Sequence, residues 1–207
     1  MKPRSAQSIL EAQLYVMLQV CPKCDTDPLE VADQSTEEHH IDDIIRLDCA
    51  CPGCGEEAVF RFRIDSRWAA ASEPPLLNPT DQPSKLIDIA QWLTLYHILI
   101  ARSTEASDRI ASRGEAFQAT LCIAEALKFY EPDNDLPPAS AFFSDQARDQ
   151  ARAHPAFFAR DKLLNLQAGL PDLRATQAVT NAKSARKWWK FWQYPRSGAD
   201  PAGPDSV

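Results

Sequence analysis

The sequence predicts an α+β fold in which a small β-hairpin module is followed by an all-α helical bundle and a partly disordered tail. Five of the six cysteines and the segments of alternating hydrophobicity lie within the first 68 of the 207 residues. Apolar residues then recur at helical spacing, and the end of the chain is polar, basic and aromatic. A proline-rich stretch, "SEPPLLNPTDQP", separates the first two regions, because proline interrupts helices and sheets. We therefore expect a hairpin module at residues 1–71, a linker at 72–83, a helical domain at 84–171 and a tail at 172–207.

The first module is predicted to begin with a helix and to end with a hairpin. "SILE" at residues 8–11 has the Ser-x-x-Glu pattern of a helix N-terminus, and apolar residues follow at helical spacing. The end of this segment, "LYVMLQV", is equally compatible with a strand. "LEVAD" at 29–33 predicts a short strand. "DIIRLDC" at 43–49 and "VFRFRI" at 59–64 alternate in polarity around a tight turn, which predicts an antiparallel hairpin.

The second region contains about four predicted amphipathic helices. "KLIDIAQWLTLYHILIARS" and "EAFQATLCIAEALKFY" each carry an apolar stripe, and we place His97 on the apolar face of the first. A third helix is expected over much of 141–153. The fourth begins at Pro155 and ends at Gly169, the asymmetry typical of helix ends. Helices of this number can bury a core of their own, which favours an independent domain.

The N-terminal segment and the hydropathy of the chain favour a cytoplasmic setting. Glutamate and glutamine interrupt the first apolar run, and no small-residue cleavage site follows it. No stretch approaches the roughly 20 apolar residues of a membrane span. Thiols stay reduced in the cytoplasm, where Cys-x-x-Cys pairs bind metals more often than they form disulfides.

Two Cys-Pro-x-Cys pairs, separated by 26 residues, predict a metal site. The tight turn of such a knuckle points both sulfurs to one side and aims backbone amides at them. Zinc prefers four soft ligands in a tetrahedron, so we expect one zinc ion. Four thiolates close its coordination shell, which indicates a structural rather than a catalytic ion. The expected ligands are Cys21, Cys24, Cys51 and Cys54.

Around these pairs, residues 14–68 resemble a zinc ribbon and, more narrowly, the CpXC-type domains, which are bacterial modules defined by two Cys-Pro-x-Cys motifs. The resemblance implies the same four ligands and no particular activity. Asp25 departs from the pattern where a glycine is common, whereas Gly55 fits the equivalent place in the second knuckle. A polar connector, "STEEHHIDD", also replaces the expected helix between the knuckles.

The remaining cysteines and the paired histidines have simpler interpretations. Cys49 shares the apolar face of its strand, and Cys122 lies in a helical apolar stripe, so both are expected to be reduced core residues. His39 and His40 are an alternative source of metal ligands, although adjacent histidines in a charged loop are usually solvated.

The tail segment "AKSARKWWKFWQYPR", residues 182–196, contains three of the five tryptophans, and Lys183, Arg186, Lys187 and Lys190 lie beside them. Four interpretations stay open: the segment folds back onto an apolar groove of the bundle, touches a membrane interface, docks a partner protein or stacks on single-stranded nucleic acid. The candidate binding residues are Lys187, Trp188, Trp189, Lys190 and Trp192.

Charge and motif content narrow the function. The net charge is −7, so the body of the chain lacks the basic footprint of a general nucleic-acid binder. The six glycines are scattered, which excludes a P-loop and a dinucleotide fingerprint. We expect a non-enzymatic zinc-binding adaptor with a protein partner, with a membrane surface as the alternative partner of the tail. A nucleic-acid-associated regulator that uses the ribbon or the tail, and a hydrolase or transferase with an unmarked site, remain the rival functions, and no small-molecule substrate is evident.

Overall fold

The structure is a computed structural model that describes residues 2–25, 28–37, 42–65 and 77–170. The described part of the chain has a mixed α+β fold with one four-stranded sheet and five α-helices. Among these helices, none combines the length and the apolar character that crossing a membrane requires. The tail residues Lys187 to Trp192 and the pair His39 and His40 lie outside the described residues.

The sheet has the strand order β1-β4-β3-β2, with β1 at Arg4–Ser5, β2 at Glu30–Glu37, β3 at Asp42–Ala50 and β4 at Glu57–Asp65. The strands β2, β3 and β4 are antiparallel neighbours, and β1 pairs with β4 in parallel. The predicted hairpin is confirmed, because Cys49 pairs with Ala58 on either side of the second knuckle. Strand β2 extends four residues beyond the predicted "LEVAD" and takes up the start of the polar connector.

Helix α1, Ile9–Met17, packs against both the sheet and the helices of the second half of the chain. The predicted cap is confirmed, because the Ser8 side chain accepts a hydrogen bond from the Glu11 amide at 3.0 Å. One side of α1 places Ala12 and Val16 in the core under the sheet, and another side places Leu14 in the helical core. The segment "LYVM" is therefore helical, and α1 is shared by the two cores.

The helical region contains α2 at Ile89–Glu105, α3 at Arg109–Leu127, α4 at Asp145–Ala153 and α5 at Arg160–Ala168. Helix α2 begins with a reciprocal capping box, in which Asp88 and Gln91 each bind the backbone amide of the other. Helices α2 and α3 pack along each other, and Ser103 near the end of α2 donates to the carbonyl of Ser112 at 2.8 Å. These two helices contribute nine of the nineteen buried residues of the hydrophobic cluster in this region.

Two details of the helical prediction are wrong. His97 is exposed, because the buried stripe of α2 is rotated towards Trp92, Leu95 and Leu99. Pro155 opens a short 3₁₀ turn, Pro155–Phe158, instead of the final helix. The chain becomes extended at Ala159, because the Phe158 ring packs against Phe142 and its carbonyl accepts a hydrogen bond from Tyr130.

The buried side chains form two clusters, which we call the sheet core and the helical core. The described part of the proline-rich stretch packs against both neighbouring regions, since Leu77 is buried in the helical core and its carbonyl accepts a hydrogen bond from Ser8. Independent folding of residues 1–71 and 84–171 stays a prediction.

Candidate metal centre

The two cysteine pairs lie in two turns that the sheet brings together. The first turn follows α1, and a bridge between Val20 and Pro28 joins its two ends. The second turn connects β3 to β4, and the Cys51 amide donates to the carbonyl of Glu56 at 2.8 Å. Each pair is therefore held at both ends by main-chain hydrogen bonds, which fixes where its sulfurs point.

The two turns have matching backbone geometry. The Asp25 amide donates to the Cys21 carbonyl, and the Gly55 amide donates to the Cys51 carbonyl, both at 2.9 Å. The residue after each pair has a positive φ, 53° at Asp25 and 72° at Gly55. Aspartate adopts this left-handed conformation at a modest cost. The departure at Asp25 therefore leaves the turn unchanged.

The four thiols, Cys21, Cys24, Cys51 and Cys54, which we call the cysteine cluster, have the spacing of a tetrahedral metal site. The Sγ atoms of Cys21 and Cys54 are 3.6 Å apart, as are those of Cys24 and Cys51. All four sulfurs lie within 4.8 Å of one another. Sulfurs about 2.3 Å from a tetrahedral zinc would be about 3.8 Å apart. The donor set and its spacing therefore fit one metal ion.

All six cysteines are free thiols. A disulfide requires sulfurs about 2.05 Å apart, which is well short of the distances in the cysteine cluster. Both 3.6 Å distances join a sulfur of one turn to a sulfur of the other. The arrangement therefore suits ligands around a common centre.

Backbone amides surround the sulfurs. The Lys23 amide donates to the Cys21 sulfur at 3.4 Å. The amide of Glu56 is the largest single influence on the Cys54 thiol and lowers its pKa, but loss of solvent and the neighbouring thiols outweigh it and raise the pKa to about 12. The Cys54 thiol therefore keeps its proton at neutral pH until a cation replaces it. Proton release on binding is the usual behaviour of a thiolate metal site.

An ion pair links the tips of the two turns. Lys23 Nζ lies 3.3 Å from Glu56 Oε2, and both side chains are largely exposed. This pair was not predicted, although the opposite charges near the two knuckles are visible in the sequence. Exposed pairs stabilise proteins little. Lys23 nevertheless places a positive charge beside a cluster that carries a formal charge of −2 with a divalent ion.

The other two cysteines are buried in the cores, as predicted. The Cys49 sulfur contacts the carbonyl of Leu47 at 3.7 Å, and burial raises the pKa of its thiol to about 12. Cys122 is fully buried in α3, and burial raises its pKa as well. Within the described ranges, the cysteine cluster is the one group of three or more potential ligand residues with metal-binding spacing.

The cysteine cluster lies at the edge of the sheet core. Cys21 and Cys51 are buried, Cys24 is half-buried and Cys54 is exposed. Comparison with family models, curated proteins and solved structures gave no match to this chain. The site is therefore interpreted from its geometry alone.

Proposed function

We propose that the protein is a non-enzymatic adaptor whose N-terminal region is a zinc ribbon with one structural zinc ion. The spacing of the four sulfurs is the observation that supports this proposal most directly. Thiolate ligands favour zinc and other thiophilic metals, and a tetrahedral set of four is typical of structural zinc. The helical bundle that follows would supply the contact surface for a protein partner in a reducing compartment such as the cytoplasm.

A structural role fits the ligand set better than a catalytic one. A catalytic zinc normally keeps one coordination position for water or substrate. Here four thiols would fill the four tetrahedral positions around the ion. The cluster would hold the α1–β2 connection against the β3–β4 turn, and Lewis-acid chemistry would be disfavoured by the charge of the thiolates.

The buried carboxyl groups also support an adaptor over a hydrolase or transferase. Burial raises the pKa of Glu11 to about 7 and raises the pKa of Glu125 above its ordinary value. Such shifts are common in active sites. However, both residues are at least 96 % buried, and Glu125 is bound by Lys128 and Asn78. A substrate would have to displace packed side chains to reach either group.

The solvent face of the sheet argues against nucleic acid as the partner. Arg46 forms a two-pronged hydrogen bond to Asp48, and Arg61 pairs with Glu37. The ion pairs neutralise these two arginines within the sheet, which lowers the positive charge that they could offer to a phosphate backbone.

The metal proposal is tested by measuring zinc per chain in the purified protein and in single Cys→Ser variants. We expect one zinc in the wild type and strong loss in the variants of Cys21, Cys24, Cys51 and Cys54. Cys49→Ser and Cys122→Ser are matched controls that should retain the ion. Full zinc retention by Cys51→Ser, or a different metal in protein purified from its native source, would contradict the proposal.

A further inference from the structure

A groove on the helical region combines proline and phenylalanine walls. It has a volume of about 360 Å³, and we call it the proline–phenylalanine groove after Pro83, Phe129, Pro138 and Phe143, which line it with Lys85 and smaller residues. Phe143 is 44 % exposed, and its ring meets that of Phe129 at 61° with centroids 6.3 Å apart. The groove is shallow and open, and its phenylalanine and proline side chains offer apolar surface against which an aromatic side chain can pack.

The walls of this groove are held by buried hydrogen bonds. The Phe143 amide donates to Oδ2 of Asp88, which is 2 % exposed and also caps α2. On the opposite side, the Ser84 hydroxyl accepts from the amides of Leu86 and Ile87. The groove is therefore preformed, and a ligand would gain affinity because little of the wall has to be ordered.

An acidic loop borders the groove. It joins Phe129 to Pro138 and carries three exposed carboxylates, at Glu131, Asp133 and Asp135. Lys85 is the basic side chain that lines the groove itself. A ligand with an aromatic centre and several positive charges would match both the groove and its border.

The aromatic tail segment of this chain, residues 182–196, has that chemistry. Trp188, Trp189 and Trp192 stand among Lys183, Arg186, Lys187 and Lys190. Tryptophan buries a large apolar area, and its ring nitrogen can donate a hydrogen bond at the rim of a groove. In the sequence, the other two tryptophans, Trp68 and Trp92, stand singly and far from this segment.

The tail also starts close enough to reach the groove. The first residue of α5, Arg160, donates through its amide to the Asp135 carbonyl at 2.9 Å and through its guanidinium to the Pro132 carbonyl at 2.8 Å. Helix α5 has nine residues and is therefore about 14 Å long. The sixteen residues between Leu170 and Lys187 span up to about 50 Å when extended. Reach is not a constraint.

We propose that the aromatic tail segment docks into the proline–phenylalanine groove of its own chain and thereby closes the surface that the adaptor would offer to a partner. Attachment to the same chain gives the segment a millimolar effective concentration at the groove, which an external ligand has to exceed. Docking also removes three tryptophans from solvent, where a contiguous apolar patch would favour association. A partner with the same chemistry, aromatic and basic, would bind by displacing the tail.

The test uses the full-length chain and a synthetic peptide with the sequence of residues 183–194. Changing Trp188, Trp189 and Trp192 to alanine should release the tail of the chain from its own groove. The peptide should therefore bind this triple variant at least tenfold more tightly than it binds the wild type. Adding Phe143→Glu to the triple variant should abolish binding. Phe157→Glu is the matched control, because Phe157 is 56 % exposed in the same region and does not line the groove.

Three results would overturn the proposal. Peptide binding to neither protein would mean that the groove does not accept the segment, and equal binding to both would mean that the tail leaves it open. Flotation of the wild type with vesicles of anionic lipid, and not of the triple variant, would assign the tryptophans to a membrane. Circular dichroism and thermal unfolding of each variant confirm that it is folded, and Phe143→Ala replaces Phe143→Glu if the latter fails. None of these outcomes depends on the zinc site.

Discussion

The sheet core and the helical core differ in what holds them together. Among the described residues, the sheet core has eleven buried members, of which Cys21 and Cys51 belong to the cysteine cluster. The helical core has nineteen buried members, including the large side chain of Trp92, and none belongs to that cluster. A core of eleven side chains, of which Phe62 is the one aromatic member, has little apolar area to oppose chain entropy. We therefore infer that the sheet core relies on a bound ion and that the helical core is sustained by its own packing.

Helix α1 complicates this division, because it contributes to both cores. Leu14 is buried among the helices, whereas Ala12 and Val16 are buried under the sheet. Glu11 is 99 % buried on the same helix, with its carboxyl group near Ser84, Glu125 and Lys128. The contact between the two cores thus contains an ionisable residue as well as apolar ones. The strength of this contact decides whether the two cores unfold separately or together.

Removal of the metal should give the largest difference between the two cores. Structural zinc contributes on the order of 10–16 kcal/mol in small modules, far more than the packing of one side chain. A chelator should therefore unfold the sheet, while residues 84–170 stay helical by circular dichroism and hydrogen exchange. Cys49→Ser, which keeps the four thiols, should respond to the chelator as the wild type does. Loss of all helical signal together with the zinc would show that the two cores form one cooperative unit.

Leu14→Ala, a substitution in α1, should destabilise the helical core. Leu14 is 1 % exposed, and truncation of a buried leucine typically lowers the free energy of unfolding by about 2–5 kcal/mol. We expect a lower melting temperature with zinc still bound. Leu164→Ala is the matched control, because Leu164 is 44 % exposed on α5 and should lose less than about 0.5 kcal/mol. Equal effects of the two substitutions would contradict a shared role of α1.

The pH dependence of stability should identify Glu11 as a weak point in the contact between the cores. Burial raises its pKa from 4.5 to about 7, although hydrogen bonds from Gln7 and Ser84 and the charge of Lys128 act in the opposite direction. The folded state therefore binds the proton more tightly than the unfolded chain. This contribution to stability is complete below about pH 4.5, falls as the pH rises and is lost above about pH 7. A shift of this size corresponds to about 3 kcal/mol.

Glu11→Gln removes this titration and keeps an oxygen that can accept from the Gln7 amide. Chemical denaturation at several pH values should show that the variant gains stability relative to the wild type as the pH rises from 5 to 8. Asp145→Asn serves as the control, because Asp145 is exposed and its hydrogen bond to Arg148 lowers its pKa from 3.8. Its titration therefore lies below this range, and the difference between Asp145→Asn and the wild type should stay constant from pH 5 to 8. A constant difference between Glu11→Gln and the wild type would refute the assignment.

Substitutions at the residue after each cysteine pair should have the smallest effects on stability. Gly55→Ala should lower the free energy of unfolding, and Asp25→Gly should raise it. A side chain at Gly55 would meet nothing within 4 Å, so the cost of Gly55→Ala arises from its φ of +72° alone. We expect a loss of about 1 kcal/mol. Asp25→Gly relieves the same strain in the first knuckle and should gain less than that, because glycine also loosens the unfolded chain. Thermal unfolding of the zinc-bound proteins measures both, and a stabilising Gly55→Ala would contradict the geometry.

Local chemistry let the sequence predict much of the fold and the candidate site. The Ser8 cap, the β3–β4 hairpin and the left-handed Gly55 after the second cysteine pair all depend on neighbours a few positions away. The left-handed conformation of Asp25 was not predicted, because aspartate adopts it less readily than glycine. A Cys-Pro-x-Cys turn fixes the direction of its own sulfurs, so the spacing of four cysteines was sufficient to name the cluster. The two pairs could be matched because both turns repeat the same short pattern.

Tertiary packing decided the features that a local pattern does not contain. His97 is exposed because α3 packs on a different side of α2, and hydrophobic spacing alone does not select between adjacent stripes. Glu11 interrupts an apolar run in the sequence, yet it is buried because elements from three parts of the chain meet around α1. Strand β1 has two residues, too few for any periodic signal, and exists only through its pairing with Phe62 and Arg63. Periodicity reports only how apolar residues are spaced along the chain, whereas burial depends on which surfaces pack together in the fold.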